Sequence, residues 1–282
     1  MKKNQSSSKI QQKIKVWFLY LFLIIGAFTM LFPFFWMIST SLKNQYEAIK
    51  IPPIIWPKQL QFSNWAEAWN AAPFIRYFIN SVSVAFITTT AQIITAILAA
   101  FAFSKMIFYG KNFIFLILLG TMMVPFEMVL VPNFVTLSNL GMIDTYWALI
   151  VPWMANFFAV YTMRQAFAGI PDQLYYAAKV DGASDWQYLW KVLVPNSRSS
   201  ITAIALIQVI ASWNSFMWPL IVTNSTNLRT LPVGLQAFKS DAGVQYPELM
   251  AASTFVILPV AILYFVFNKY IVDGFTDTGI KG

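Results

Sequence analysis

Cysteine and histidine are both absent from this chain. Without them, disulfides, thiol chemistry, the usual zinc sites and imidazole bases are all excluded. A nucleophile paired with histidine is impossible for the same reason, and no G-x-S-x-G motif is present, which argues against a membrane hydrolase. The sequence therefore predicts neither a metal site nor a catalytic site.

Charged residues are scarce as well. They make up 11% of the 282 residues, whereas 58% are hydrophobic and 17% aromatic. Soluble proteins carry about a quarter charged residues, so this composition predicts a membrane protein in contact with lipid. The net charge of +8 does not indicate nucleic-acid binding, because no basic patch lies apart from the ends of the hydrophobic runs.

Long hydrophobic runs are plentiful. A run of about 20 apolar residues crosses the hydrocarbon core of a bilayer, and runs of this kind lie near residues 16–39, 79–103, 113–135, 147–167, 201–222 and 250–270. The first is too long for a signal peptide and has no A-x-A-like cleavage site, so we expect an uncleaved span. The fold class predicted is all-α, a polytopic membrane protein with six transmembrane helices.

The distribution of basic residues predicts the orientation. With the N-terminus inside, 13 of the 19 lysines and arginines fall on inner segments. Cytoplasmic segments of membrane proteins carry this excess of Lys and Arg. Both termini and the polar segment 170–195 are therefore expected in the cytoplasm.

The segment 170–195 interrupts two hydrophobic runs and reads as two short helices around a turn. Pro171 suits a first helical position, and Gly182 suits the left-handed backbone that follows a helix end. Ser184 followed by Gln187 fits a capping box that starts the second helix. From spacing alone, an ordinary connector between spans and a docking surface for another protein are equally good interpretations.

A resemblance favours docking. The residues AAKVDGAS, followed by VLVP, resemble the EAA loop of bacterial ABC importer permeases. In that family the loop is a coupling helix that sits in a cleft of the cytoplasmic ATPase, which implies docking roles for Tyr176, Ala177, Ala178, Asp181, Gly182 and Ala183. Tyr176 stands where the family has glutamate, so a salt bridge from that acid to the ATPase is absent or replaced.

Further segments extend the resemblance over most of the chain, in the order and with the spacing of the family pattern. They are NSV, TMMVP, LGMIDTYWALIVP, WNSFMWPL, LPVGLQAF and the terminal TGIKG. Together they look like the second permease subunit of a carbohydrate ABC importer of the maltose and multiple-sugar type. The resemblance implies a type I importer permease fold, with a cytoplasmic tail at 1–15, a first helix and outer loop at 16–76, a five-helix transmembrane domain at 77–270 and a second tail at 271–282.

The same resemblance implies the partners. They are a second permease forming a heterodimer, two cytoplasmic ABC ATPase subunits and an extracytoplasmic sugar-binding protein, assembled in the bacterial inner membrane. This chain has no G-x-x-x-x-G-K-[ST] loop, so ATP and Mg²⁺ are expected on the ATPase subunits and no cofactor on this chain. In the resembled subunit the C-terminal tail reaches into the ATPase dimer, a role that carries over to Lys281 and Gly282.

Candidates for the substrate pathway are fewer. Asn214 is polar within an apolar run, and such groups usually face protein or water. Trp213 and Trp218 either stack on a sugar or pack in the protein. Glu127 either lines the pathway or reaches the headgroups from the outer end of its span.

Two other functions compete with an ATP-driven importer. An ion-coupled secondary transporter normally relies on buried carboxylates or discontinuous helices, and the scarcity of acids inside the spans argues against it. A membrane scaffold without transport is the third interpretation. Copurification of an ATPase would separate the importer from both.

Overall fold

The computed structural model describes residues 2–240 and 243–276, and the side chains of 15–240 and 243–267. The chain is mostly helical in this part. The α-helices are α1 Lys2–Ser41, α2 Gln45–Ile49, α3 Ser63–Asn70, α4 Phe74–Lys105, α5 Lys111–Thr121, α6 Phe126–Asn139, α7 Tyr146–Ile150, α8 Phe157–Ala168, α9 Asp172–Val180, α10 Asp185–Tyr188, α11 Val194–Asn196, α12 Arg198–Trp213, α13 Met217–Val222, α14 Leu231–Gly234 and α15 Tyr246–Thr276. Strands β1 Lys239–Ser240 and β2 Gly243–Val244 pair antiparallel.

Three helices of the described chain are long and apolar enough to cross a membrane. They are α1 within Lys15–Ser41, α4, and α15 within Tyr246–Phe267. Helices α5 and α6 provide a fourth crossing if they count as one span, although they meet at a bend of 97°. The structure thus agrees with an all-α membrane protein but has three or four such spans where the sequence predicts six.

The difference arises because hydropathy reports apolar composition and not backbone continuity. Run 113–135 breaks before Pro125, which disfavours helical backbone at the preceding residue. Run 147–167 is divided into α7, the 3₁₀ turn Val151–Trp153 and α8. Run 201–222 ends its first helix at Trp213 and resumes at Met217, upstream of Pro219.

The described part of the chain divides into two compact units, one within residues 2–72 with 237–240 and 243–255 and the other within residues 73–236 with 256–276. In the first unit the loop after α1 is held by polar contacts. The side-chain amide of Asn64 donates to the carbonyls of Ser41 and Lys43, at 2.9 and 2.8 Å. The ammonium of Lys43 lies 4.1 Å from the ring centre of Trp36. These bonds order the segment that follows the first span.

The second unit is built around α4, which packs against α8 and α12. One buried cluster joins the C-terminal half of α4 to α5, α8, α12 and the segment 188–193. Within it Ala96, Ala100 and Ala159 are fully buried, and small side chains of this kind let helices approach closely. A second cluster contains Val84 of α4 with Leu149 and Trp218. Helix α4 therefore contributes to both clusters.

Candidate functional site

The segment 170–195, called the docking loop below, has most of the local structure that its sequence predicts. Ser184 Oγ accepts from the Gln187 backbone N–H at 3.2 Å, and Gln187 Oε1 accepts from the Ser184 N–H at 2.9 Å, which confirms the capping box. Gly182 has the predicted left-handed backbone, with φ of 78°. Pro171 precedes α9 with ψ of 137° instead of opening it, so that detail of the prediction is wrong.

The second arm of the docking loop is less regular than a single α-helix. Helix α10 ends after four residues, and a π-helical turn, Leu189–Leu193, follows it. Tyr188, Leu189 and Leu193 are buried in the cluster with α4 and α8. Burial of these three side chains fixes the arm to the membrane-spanning part of the unit.

Polar contacts tie the two arms together. Asp185 Oδ1 accepts from the Tyr175 hydroxyl at 2.7 Å and lies 2.8 Å from the Lys179 ammonium. The ammonium of Lys179, and then the hydroxyl of Tyr175, lower the pKa of Asp185. The hydrogen bond that each of these residues makes to Asp185 raises the pKa of Lys179 and of Tyr175. At neutral pH the network therefore contains a carboxylate and an ammonium ion.

Lys105, the last residue of α4, anchors the start of the docking loop. Its ammonium lies 2.6 Å from Asp172 Oδ1 and donates to the Ile170 carbonyl at 2.7 Å. The side chain of Lys105 is 4% exposed. A charge buried to this extent is stable only when it is paired and hydrogen-bonded, so the anchor depends on both contacts.

The tip of the docking loop is exposed. None of the nine described residues of α9 is buried, and the side chains of Tyr176 and Val180 are 65% and 87% exposed. A Cβ atom added to Gly182 would meet nothing within 4 Å. The residues predicted to dock fall into two groups: the exposed Tyr176, Ala177, Asp181 and Gly182, and the half-buried Ala178 and Ala183. Lys281 and Gly282 lie outside the described residues.

A cavity of about 280 Å³ forms a second feature of this unit. Its wall combines aromatic rings with uncharged polar groups and, among the described residues, no acid or base. The lining residues are Ser81, Val84, Thr88, Gln92, Phe126, Leu149, Trp153, Asn156, Gln208, Ala211, Ser212, Ser215, Trp218, Pro219 and Thr230.

Three side chains of the cavity wall carry a buried oxygen with no hydrogen-bond partner among the described residues. These atoms are Thr88 Oγ1, Gln92 Oε1 and Thr230 Oγ1. The residues are 2%, 5% and 5% exposed. A buried polar group left without a partner costs about 1–3 kcal/mol, so three around one cavity need an explanation.

Thr230 owes its position to bonds between the segment 226–234 and the start of α4. The side-chain amide of Asn80 donates to the Asn227 and Arg229 carbonyls at 2.8 and 2.9 Å, and its oxygen accepts from the Tyr146 hydroxyl at 2.6 Å. The Leu231 N–H donates to Ser81 Oγ at 2.8 Å. Together these bonds fix Thr230 against the cavity.

Only one of the four predicted pathway residues lines the cavity. Trp218 does so, and its indole N–H donates to the Ala148 carbonyl at 2.9 Å. Trp213 is buried elsewhere and donates to the Val256 carbonyl at 3.0 Å, the packing role that the sequence left open. Asn214 is exposed after the end of α12, and Glu127 is exposed in the first turn of α6. Their part in transport stays a prediction.

Most of the polar wall was missed at the level of sequence. Gln92 and Gln208 meet the criterion that points to Asn214, a strongly polar side chain within an apolar run, and that signal was available. Thr88 and Thr230 gave no comparable signal, because threonine is common in membrane helices and loops. Trp153 and Asn156 flank a helix break that hydropathy does not reveal.

Comparisons with known proteins agree with this architecture. Residues 6–276 match the family described as binding-protein-dependent transport system inner membrane component. The chain is 33% identical over 265 residues to the arabinooligosaccharides transport system permease protein AraQ of Bacillus subtilis, which covers 93% of this chain and 94% of the relative. It is 29% identical over 269 residues to the sn-glycerol-3-phosphate transport system permease protein UgpE of Yersinia enterocolitica, with 93% and 96% covered.

Solved structures show the fold. A chain of a bacterial ABC transporter involved in the import of the acidic polysaccharide alginate superposes with a TM-score of 0.81 at 24% identity, covering 92% of this chain and 97% of that one. The same fold and the match over nearly the whole chain leave no support for a secondary transporter or a scaffold. The chain belongs to the family of binding-protein-dependent transport system inner membrane components and is a transport permease, not an enzyme.

Proposed function

We propose that this chain is the transmembrane subunit of an ATP-driven importer for a carbohydrate and forms half of the translocation pathway. The observation that carries the proposal is the docking loop, which is exposed at its tip and fixed at its base. An exposed apolar surface on a rigid support is typical of a site that another protein covers. The partner is a cytoplasmic ABC ATPase.

The proposed assembly contains this chain, a second permease as heterodimer partner, two ATPase subunits that carry ATP and Mg²⁺, and an extracytoplasmic sugar-binding protein. Helices α1, α4 and α15 cross the membrane as continuous helices, and segments 111–139, 146–168 and 198–222 cross as broken ones. Both termini then lie in the cytoplasm, as the excess of basic residues on the inner segments favours.

The substrate class is inferred from the relatives. One is named for arabinooligosaccharides and another for sn-glycerol-3-phosphate. Both compounds are rich in hydroxyl groups, and the more similar of the two relatives carries a sugar oligomer. A carbohydrate is therefore the proposed substrate.

Coupling follows from the way in which the docking loop is attached. ATP binding closes the ATPase dimer and displaces the exposed tip around Tyr176 and Gly182. The buried Leu189 and Leu193, with the Lys105 anchor, transfer that displacement to α4. Such coupling requires that the ATPase bind the two conformations of the permease with different affinities.

The test is purification of this chain from its native membrane in a mild detergent, with identification of the proteins that accompany it and an assay of ATP hydrolysis. A second permease and an ABC ATPase in the same complex, with ATP-dependent uptake in vesicles, are the expected result. A chain recovered without ATPase, or uptake driven by an ion gradient in the absence of ATP, would contradict the proposal.

A further inference from the structure

The cavity has the size and the chemistry of a ligand site. Its volume of about 280 Å³ is close to the ~300 Å³ at which small-molecule pockets begin. That space is sufficient for a single sugar unit. It therefore suits one unit of a longer chain.

Aromatic rings form part of the wall of this cavity. The ring centres of Phe126 and Trp153 lie 5.3 Å apart, and those of Trp153 and Trp218 lie 5.9 Å apart. Trp218 is held in place by the bond of its indole N–H to the Ala148 carbonyl. Rigid aromatic faces pack well against the C–H face of a sugar ring, since they present apolar area at a low cost in conformational entropy.

Hydrogen-bonding groups form another part of the wall. Thr88, Gln92 and Thr230 each carry a buried oxygen without a partner, and the side chain of Gln208 lines the same space. Hydroxyl and amide groups both donate and accept, as sugar hydroxyls do. Each of these oxygens is itself buried, so a ligand rich in hydroxyl groups can pair with them once their side chains turn toward the cavity.

The absence of charge from the described wall narrows the ligand class. A phosphate or carboxylate in this cavity would meet no cation among the lining residues, and a charge without a partner is costly away from water. An uncharged sugar unit meets no such penalty. The wall thus discriminates between a neutral saccharide and an anion such as sn-glycerol 3-phosphate.

We propose that this cavity binds one uncharged sugar unit of the transported carbohydrate, with Gln92, Thr88 and Thr230 as hydrogen-bonding residues and Trp153 and Trp218 as stacking surfaces. The inference rests on the proposed function and adds to it a site and a charge selectivity. It assigns substrate contact to residues that lie on α4 and on the segments packed around it.

The test measures equilibrium binding of radiolabelled arabinotriose, maltotriose, cellotriose and sn-glycerol 3-phosphate to the purified importer complex without its binding protein. We expect at least one neutral trisaccharide to bind and the phosphate not to bind. Removal of one hydrogen bond in Gln92→Leu should weaken saccharide binding about tenfold. Thr88→Val should act in the same direction, and it removes no bond of the folded protein.

Gln165→Leu is the matched control, because Gln165 is exposed on α8 and does not line the cavity. Its saccharide affinity should equal that of the wild type. Binding of the phosphate alone, binding of no saccharide, or equal affinities in wild type and in both cavity variants would overturn the site. If the ATPase still copurifies in these cases, only the sugar site is refuted and the proposed function is not. If the wild-type complex contains no ATPase, the proposed function itself is refuted.

Discussion

The docking loop and the cavity differ in how their polar groups are paired. In the docking loop, Asp185 is paired with Tyr175 and Lys179, the start of the loop is bonded to Lys105 of α4, and Val180 is exposed, although the buried hydroxyl of Tyr188 has no partner among the described residues. In the cavity, Leu149 and Trp218 are packed, and three oxygens, those of Thr88, Gln92 and Thr230, have no partner among the described residues. The difference fits the two proposed roles, because a loop that docks on another protein has to be rigid before contact, whereas a site for a small polar ligand keeps hydrogen-bonding groups available for it.

The largest effect that separates the two regions is expected from Gly182→Trp. The indole would occupy the open space in which the ATPase is proposed to dock, and uptake should fall about 100-fold if docking loses roughly 3 kcal/mol. Membrane insertion should be unchanged. The measurement is ATP-dependent uptake together with recovery of the ATPase on purification.

Gly141→Trp is the control for this variant. Gly141 also has a left-handed backbone, with φ of 66°, and a Cβ there also meets nothing within 4 Å. It follows α6 and is not part of the docking loop. The two variants therefore introduce similar backbone strain at different places in the protein. Equal loss of uptake in both variants would show that backbone strain, and not docking, explains the first result.

Asn80→Ala should destabilise the segment 226–234 beside the cavity and leave the docking loop unchanged. The change leaves two backbone carbonyls and the Tyr146 hydroxyl without their partner, which should cost about 2–4 kcal/mol of unfolding free energy. Thermal unfolding in detergent measures this loss, and the exposed Asn139→Ala serves as the control. A stability equal to that of the control would mean that Asn80 does not hold the segment 226–234.

Asp185→Asn is expected to weaken coupling two- to fivefold, about the effect of one exposed ion pair. Lys179→Met should have a similar effect, and the double variant should be no worse than either single one, because each removes the same pair. The ratio of sugar imported to ATP hydrolysed is the quantity to compare. Additive losses would show that the two residues act independently.

The same pair predicts how coupling depends on pH. Because the pKa of Asp185 is lowered, its carboxylate stabilises the folded loop in full above the ordinary pKa of 3.8. That stabilisation is lost as the pH falls through the lowered pKa. Because the pKa of Lys179 is raised, its ammonium stabilises the folded loop in full below the ordinary pKa of 10.5. That stabilisation is lost as the pH rises through the raised pKa. ATPase recovery should therefore be constant between about pH 5 and pH 9. A step inside that interval would implicate another group.

The smallest effect compares two threonines of α4. Thr88→Val removes a hydroxyl that has no partner, so the melting temperature should stay the same or rise slightly. Thr95→Val removes a hydroxyl that lies within hydrogen-bond distance of the Ala91, Gln92 and Met154 carbonyls and donates its one hydrogen among them, which should cost about 1 kcal/mol. Lower stability in Thr88→Val than in Thr95→Val would indicate that Thr88 makes a bond through water.

What the sequence predicts well is local chemistry. The backbone of Gly182 and the capping box of Ser184 depend on residues adjacent in the chain, and both are confirmed. Trp213 and Trp218 show the limit, since they are five positions apart and identical in type, yet only one lines the cavity. Which of them does so depends on the helix break between them and on packing against other segments, and neither is encoded in hydropathy.

Because Lys105 anchors the docking loop to the end of α4, a tilt of α4 would move the start of the loop. Gln92 in the cavity wall and Lys105 lie 13 positions apart on one helix, which corresponds to about 20 Å at 1.5 Å per residue. A tilt of roughly 5° over that length moves the anchored end by about 2 Å. Thermodynamic reciprocity then applies in both directions: if closure of the ATPase dimer changes the affinity of the cavity for sugar by some factor, sugar in the cavity must change the free energy of closure by the same factor. In the proposed importer, the transported sugar would therefore also be an effector of ATPase closure.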